Sequence, residues 1–149
     1  MGTTLLGGWQ RDDMQNAKDV WWGHLEQELE GNAISYNAQR PNVMGNPFIL
    51  TRENKSDQQQ IKIACEGFEE ILAHALTADG QDLTIGQVGE IGQRRGFKGR
   101  IGKWNARAVR ETMIGLAADI QRQPIRIDCR CYPGRCHAEV IARWLAKGW

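Results

Sequence analysis

A chain of 149 residues has the length of one domain and can bury about 70% of the surface its unfolded form exposes, so it needs no staples to fold. Hydrophobic residues make up 41% and charged residues 25%, and 19 Lys and Arg stand against 18 Asp and Glu. That balance excludes a polyelectrolyte and leaves net charge silent about partners, although a local basic cluster can still bind an anion. No stretch approaches the roughly 18 consecutive apolar residues of a membrane span, and the start of the chain lacks a basic segment followed by an apolar run. A cytoplasmic protein without a membrane partner is expected.

In chain order, Met14, Ala17, Trp21 and Leu25, with Val20 and Leu29 beside them, follow helical spacing and predict a helix over residues 11–30, stopped by Gly31-Asn32. Residues 33–38 read as a short strand, and the segment from Gln39 to Phe48 holds two prolines and a glycine, which predict a shaped loop. Phe48-Ile49-Leu50 adds a second short strand. Ile61, Ala64, Phe68, Ile71, Leu72 and Ala75 form an amphipathic helix, with Ser56 as its expected N-cap and Ala78-Asp79-Gly80 beyond its end.

Glycines 86, 89, 92, 96, 99 and 102 then alternate with Arg94, Arg95, Lys98, Arg100 and Lys103. Each glycine weakens a helix by about 1 kcal/mol. Thr84 with Gln87 nevertheless forms a capping box, so one short helix ending near Gly96 is expected, followed by a mobile basic loop. Val109, Met113, Leu116 and Ile120 predict another helix closing before Pro124. Ile125, Ile127, Cys129 and Cys131 share one face of the clearest strand, with Arg126, Asp128 and Arg130 on the other. After the turn at Tyr132-Pro133-Gly134 a last helix is expected from Cys136 to Lys147.

The three cysteines of this last quarter are the first candidates for chemistry, since Cys65 stands alone on its helix and a secreted disulfide framework is not expected. Cys129, Cys131, Cys136 and His137 offer four soft ligands to zinc, with the first two about 7 Å apart on one strand face. The spacing is not the paired Cys-x-x-Cys of common zinc sites, and adjacent Cys136 and His137 point about 100° apart on an ideal helix. A second reading makes Cys136 a nucleophile, because unpaired N–H groups and the dipole at a helix start stabilise a thiolate, with His137 as its base only if the fold turns the ring back. A third makes Cys129 and Cys131 simple core residues.

The Pro-Gly turn into a helix N-terminus, with Arg135 alongside, also suits a phosphate or carboxylate. In an open parallel sheet this turn and the loop beginning Arg40-Pro41 follow strand ends and converge. His24 and Glu26 bear a weak similarity to half of a zinc-deaminase motif, but the later proline and cysteines lack its spacing, and surface positions are expected for both. Arg94, Arg95, Lys98, Arg100 and Lys103, with Phe97 and Trp104 among them, are candidates for nucleic-acid contact, and residues 84–110 loosely resemble the helix-turn-helix of some recombinases. The alternative is a solvated loop beside an exposed helix face. Trp9, Trp21, Trp22 and Trp149 near the termini are candidates to cover a second copy in a homo-oligomer.

Arg40-Pro41, then Gly45-Asn46-Pro47-Phe48, then a helix, and finally Cys129-Arg130-Cys131 with Cys136-His137-Ala138-Glu139-Val140 resemble an uncharacterised bacterial and phage domain, the domain of unknown function numbered 4326, over about residues 33–145. Three motifs in order on matching elements make the resemblance fairly specific. The residue between the first two cysteines, commonly aromatic in that family, is Arg130 here. The resemblance implies that Arg40, Asn46, Cys131, Cys136 and His137 form one site and implies no activity.

The expected architecture is a single α/β domain over residues 33–149, with a small, mainly parallel, Rossmann-like three-layer sheet flanked by helices. A Gly-rich basic insertion occupies about 77–104, and residues 1–32 form an added helical extension. The crevice between the Arg40 to Phe48 loop and the Cys129 to His137 turn is expected to bind, and to process if Cys136 or a metal is catalytic, a nucleotide-like or other anionic small molecule. Arg40, Asn46 and Arg135 are its expected donors. A zinc-stabilised interaction module and a DNA-binding protein are the alternatives.

Overall fold

The computed structural model describes residues 20–29, 31–77, 81–130 and 135–149. In chain order its elements are β1 (Val20–His24), β2 (Ile34–Asn37), β3 (Phe48–Ile49), α1 (Gln58–Thr77), α2 (Ile85–Arg94), β4 (Arg100–Ile101), α3 (Ala106–Ile120), β5 (Ile125–Cys129) and α4 (His137–Lys147). The fold is α/β, as the alternation of patterns predicts.

β5 is central in a three-stranded sheet of order β1-β5-β2, parallel to both neighbours, with Ile125 opposite Val20 on one side and Ile34 on the other. A strand flanked on both edges and covered on both faces is buried throughout, and all five residues of β5 are. This includes Arg126 and Asp128, which alternation alone places on a polar face. They are buried because they satisfy each other: Arg126 Nε and Nη2 donate to the two Asp128 carboxylate oxygens, and Nη2 also donates to the Gln27 carbonyl at 2.9 Å. The Ser35 hydroxyl donates to the same carboxylate.

The helix expected over residues 11–30 is overturned where the structure describes it, because Val20–His24 is a strand. Val20 and Trp22 are buried opposite Ile125 and Ile127, and the β-branched and aromatic run Val20-Trp21-Trp22 suits a pleated surface better than a helix. Residues 11–19 lie outside the described part. Trp22 therefore belongs to the core rather than to a partner surface, Trp21 is half-buried, Trp149 is exposed, and Trp9 lies outside the described residues.

α4 packs on β1 and β5, α1 packs on α4, and α2 and α3 pack on α1. The stripe of α1 is buried as its spacing predicts. Its first turn is capped one residue later than expected, by Asp57, whose carboxylate accepts from the N–H groups of Gln59 at 2.9 Å and Gln60 at 3.3 Å. The capping box of α2 is present, and Asn105 caps α3 by accepting from the Ala108 N–H at 3.0 Å.

Gly92 of the 77–104 segment and Gly67 of α1 have a packing use. A Cβ at Gly92 would lie 3.1 Å from the Phe48 ring and one at Gly67 2.9 Å from it, so α1 and α2 each present a bare backbone where Phe48 inserts. The mobile loop expected after α2 is instead ordered by β4, which pairs antiparallel with β3. Its aromatics face inward: Phe97 meets Phe48 edge to face at 5.4 Å and Trp104 meets Phe68 at 6.1 Å.

Candidate functional site

Because all three strands of the main sheet run parallel, the segments leaving β2 and β5 emerge at one edge. The loop after β2 is shaped by its own polar groups. Asn37 Oδ1 accepts from the Gln39 N–H at 2.9 Å, Asn42 Nδ2 donates to the Asn37 carbonyl at 2.8 Å, and Arg40 Nη1 donates to the Asn46 carbonyl at 2.9 Å. The chain closes on itself so tightly that a Cβ at Gly45 would lie 2.9 Å from Arg40 Cα. Asn46 is buried and its side chain is committed to backbone, donating to the Ala64 carbonyl at 3.2 Å and accepting from the Phe48 N–H at 2.9 Å. It anchors the loop on α1 and sets the insertion of Phe48.

On the other side, Cys136 is the N-cap of α4, its sulfur accepting from the Ala138 N–H at 3.5 Å. His137 is the first residue of the helix and is buried. Its Nε2 lies 2.7 Å from the carbonyl oxygen of Ala38. A carbonyl only accepts, so Nε2 carries the proton, and in the neutral ring Nδ1 presents its lone pair. Nδ1 faces Cys136 Sγ at 3.6 Å. The extended backbone of the cap residue is what lets adjacent side chains meet, where ideal helical geometry keeps them apart.

Burial pushes the His137 pKa below its ordinary 6.5, against the pull of the Cys129 sulfur and the Ala38 and Met44 carbonyls, while the Arg40 charge acts with burial. The ring is accordingly neutral at neutral pH. Glu139, also buried in the first turn of α4, has its pKa raised by burial, opposed by the charges of Arg143 and Arg135.

Cys129, at the end of β5, completes a buried group: its sulfur, Cys136 Sγ and a His137 ring nitrogen all lie within 4.8 Å of one another. Two thiols and an imidazole at that separation are a donor set that can hold a metal ion. Cys131, expected as a fourth ligand, lies outside the described residues, as does the Tyr132-Pro133-Gly134 turn.

The group forms one wall of a cavity of about 420 Å³. Arg40, Asn46 and Arg135, expected from the sequence, all line it, with Cys129, Cys136 and His137. Lys55, Gln39 and Gln58 add polar groups, and Phe48, Leu50, Ile61, Ala64 and Cys65 form an apolar side. Among the described residues its charged lining is Arg40, Lys55 and Arg135, with no carboxylate. Cys65, which the sequence shows only as a lone cysteine on its helix, and Lys55, in a polar run, carry no local mark of a site residue.

The two ends of this arrangement carry the motifs of one family. The profile described as Domain of unknown function (DUF4326) matches residues 24–147. The chain belongs to this family. The match reaches back into β1, farther than the motif-bearing residues 33–145, and spans the insertion. No curated protein and no solved structure matches the chain. In this DUF4326 domain the R-P, G-N-P-F and C-H segments thus meet at one cavity, with the Arg40, Asn46 and His137 side chains each hydrogen-bonded to a backbone carbonyl.

The basic segment is placed elsewhere. Arg94 and Arg95 both pair with Glu70 on α1, and Arg95 also lies 3.7 Å from Glu66. Lys98, Arg100 and Lys103 are exposed, and none of these five lines the cavity. His24 ends β1, where its Nδ1 accepts from the Glu26 N–H at 3.0 Å. No helix among the described residues is long and apolar enough to cross a membrane.

Proposed function

We propose that the cavity between the Arg40 to Phe48 loop and the start of α4 binds an anionic, nucleotide-like small molecule. The observation that carries this is the charge of the lining: Arg40, Lys55 and Arg135 contribute three cations and no described residue there contributes an anion. The α4 N-terminus adds the positive end of a helix dipole at the same wall. The apolar side, with Phe48, Leu50 and Ile61, suits the planar or aliphatic body of such a ligand, and about 420 Å³ falls within the range of small-molecule pockets.

Nucleoside mono- and diphosphates should raise the melting temperature of the chain, and Arg40→Ala should remove most of that shift while leaving the unliganded protein folded. A panel of nucleotides, sugar phosphates and dicarboxylates with no saturable shift would count decisively against the reading.

The buried Cys129, Cys136 and His137 group favours a second reading, a zinc-stabilised interaction module. Protein purified without added metal would then contain about one zinc per chain, with strong loss of stability on chelation. The nucleic-acid reading has less behind it, because Arg94 and Arg95 are engaged by Glu70 and Phe97 and Trp104 pack against core aromatics.

A further inference from the structure

We infer that Cys129, Cys136 and His137, the ligand group found among the described residues, hold a single zinc ion, leaving one coordination position open to the cavity, where the anionic group of the ligand binds the metal directly. This rests on the reading of the cavity as an anion site and makes the metal part of that site rather than a structural clip.

Three observations carry it. The first is spacing. With Zn–S about 2.3 Å and Zn–N about 2.05 Å, the sulfur-to-nitrogen edge of a tetrahedron is about 3.6 Å, and Cys136 Sγ stands 3.6 Å from His137 Nδ1. Cys129 Sγ lies within 4.8 Å of the other donors, against a sulfur–sulfur edge of about 3.8 Å expected from the same bond lengths.

The second is orientation. Metal-bound histidines donate their other ring nitrogen to a carbonyl or carboxylate, which fixes the ring and its tautomer. His137 does this through Nε2 to the Ala38 carbonyl at 2.7 Å, which leaves Nδ1 as the ligand atom on the side of the sulfurs.

The third is access. All three residues line the cavity together with Arg40 and Arg135. A metal bound among them therefore faces a space in which cationic side chains would steer an anion to it. Two thiolates neutralise the dication, so attraction for the ligand's charge comes from Arg40, Arg135 and Lys55, while the metal supplies a directed bond. Three protein ligands with an exchangeable fourth position is the arrangement of zinc centres that bind and polarise substrates.

Cobalt(II) in place of zinc reads both the ligand set and the opening, because sulfur-to-cobalt charge transfer reports thiolates and the visible bands report coordination number. The full chain should take up about one cobalt with a four-coordinate spectrum. Titration with inorganic phosphate or pyrophosphate should shift the visible bands saturably. Cys129→Ser and His137→Ala should weaken metal binding about tenfold or more, whereas Cys131→Ser should leave stoichiometry and spectrum unchanged. Loss of charge-transfer intensity in Cys131→Ser would identify a closed, four-ligand centre and overturn the inference, as would visible bands indifferent to both anions. If the anions still stabilise the metal-free chain in an Arg40-dependent way while cobalt fails to respond, only the metal's role is lost. If they stabilise neither form, the anion site itself is lost with it.

Discussion

His137 and Ala38 join the two halves of the candidate site: the imidazole Nε2 of the first residue of α4 donates to the carbonyl that leaves β2, at 2.7 Å. Both residues are buried, so a partner lost from this bond leaves a desolvated carbonyl. His137→Phe keeps an aromatic ring against Phe68, which now sits 5.0 Å from the imidazole centroid, and removes both the Nε2 donor and the Nδ1 that faces Cys136; in metal-free protein the first loss dominates. The orphaned carbonyl should cost about 1–3 kcal/mol. Urea unfolding should show the midpoint moving with the slope unchanged, and His137→Gln, which retains an N–H donor, should recover part of the loss.

Asn46 provides the complementary test on the loop side. Its amide joins the Ala64 carbonyl and the Phe48 N–H, so Asn46→Ala abandons two buried backbone groups and should destabilise by about 2–6 kcal/mol on the usual cost of each. Ligand affinity should then fall through misplacement of Arg40 rather than through loss of a direct contact. Arg40→Ala should show the reverse pattern, with a large effect on ligand-induced stabilisation and a small one on the unliganded protein. Equal stability of Asn46→Ala and the parent would contradict the anchoring role.

These two residues also mark what was legible in the sequence. The helices α1, α3 and α4 were readable because their apolar stripes persist over several turns, and Thr84 with Gln87 announced the start of α2 despite its glycines. β1 was misread because Trp21 and Leu25 stand at helical spacing by coincidence, and only pairing with the distant β5 reveals the strand. Motif and helix-start chemistry singles out Arg40, Arg135, Cys129, Cys136 and His137, which all line one cavity. It does not single out Lys55, since its place on the cavity depends on how the segment between β3 and α1 folds back, which no local pattern encodes. Contact between Cys136 and His137 was likewise hidden, because it follows from the extended backbone of a cap residue.

The buried pair on β5 was hidden for the opposite reason, since alternating charges on a strand ordinarily mean solvent. Arg126 and Asp128 are 4% and 0% exposed, so removing either one leaves an uncompensated charge in the sheet. Arg126→Met or Asp128→Asn should each destabilise by about 3–5 kcal/mol. The double variant should cost clearly less than the sum, a coupling that a double-mutant cycle in urea measures directly. Additive losses would mean that the two side chains act separately, Arg126 through the Gln27 and Glu28 carbonyls and Asp128 through Ser35.

Glu69 ties α1 to α4, and its grip should depend on pH. Burial alone would raise its pKa, but hydrogen bonds from Arg143 and Trp144 and the charges of Arg143 and Lys147 outweigh that and hold it below the ordinary 4.5. A carboxylate with a depressed folded pKa takes up protons more readily in the unfolded chain, so its contribution is complete above pH 4.5 and is lost as pH falls through the folded value. Because both side chains of the Glu69–Arg143 pair remain 35% exposed, the contribution should be about 0.2–1 kcal/mol. Glu69→Gln keeps the size and the Trp144 acceptor while removing the charge. The gap between variant and parent urea midpoints should therefore be open at pH 7 and close under acid, and a gap independent of pH would assign the clamp to the Trp144 hydrogen bond alone.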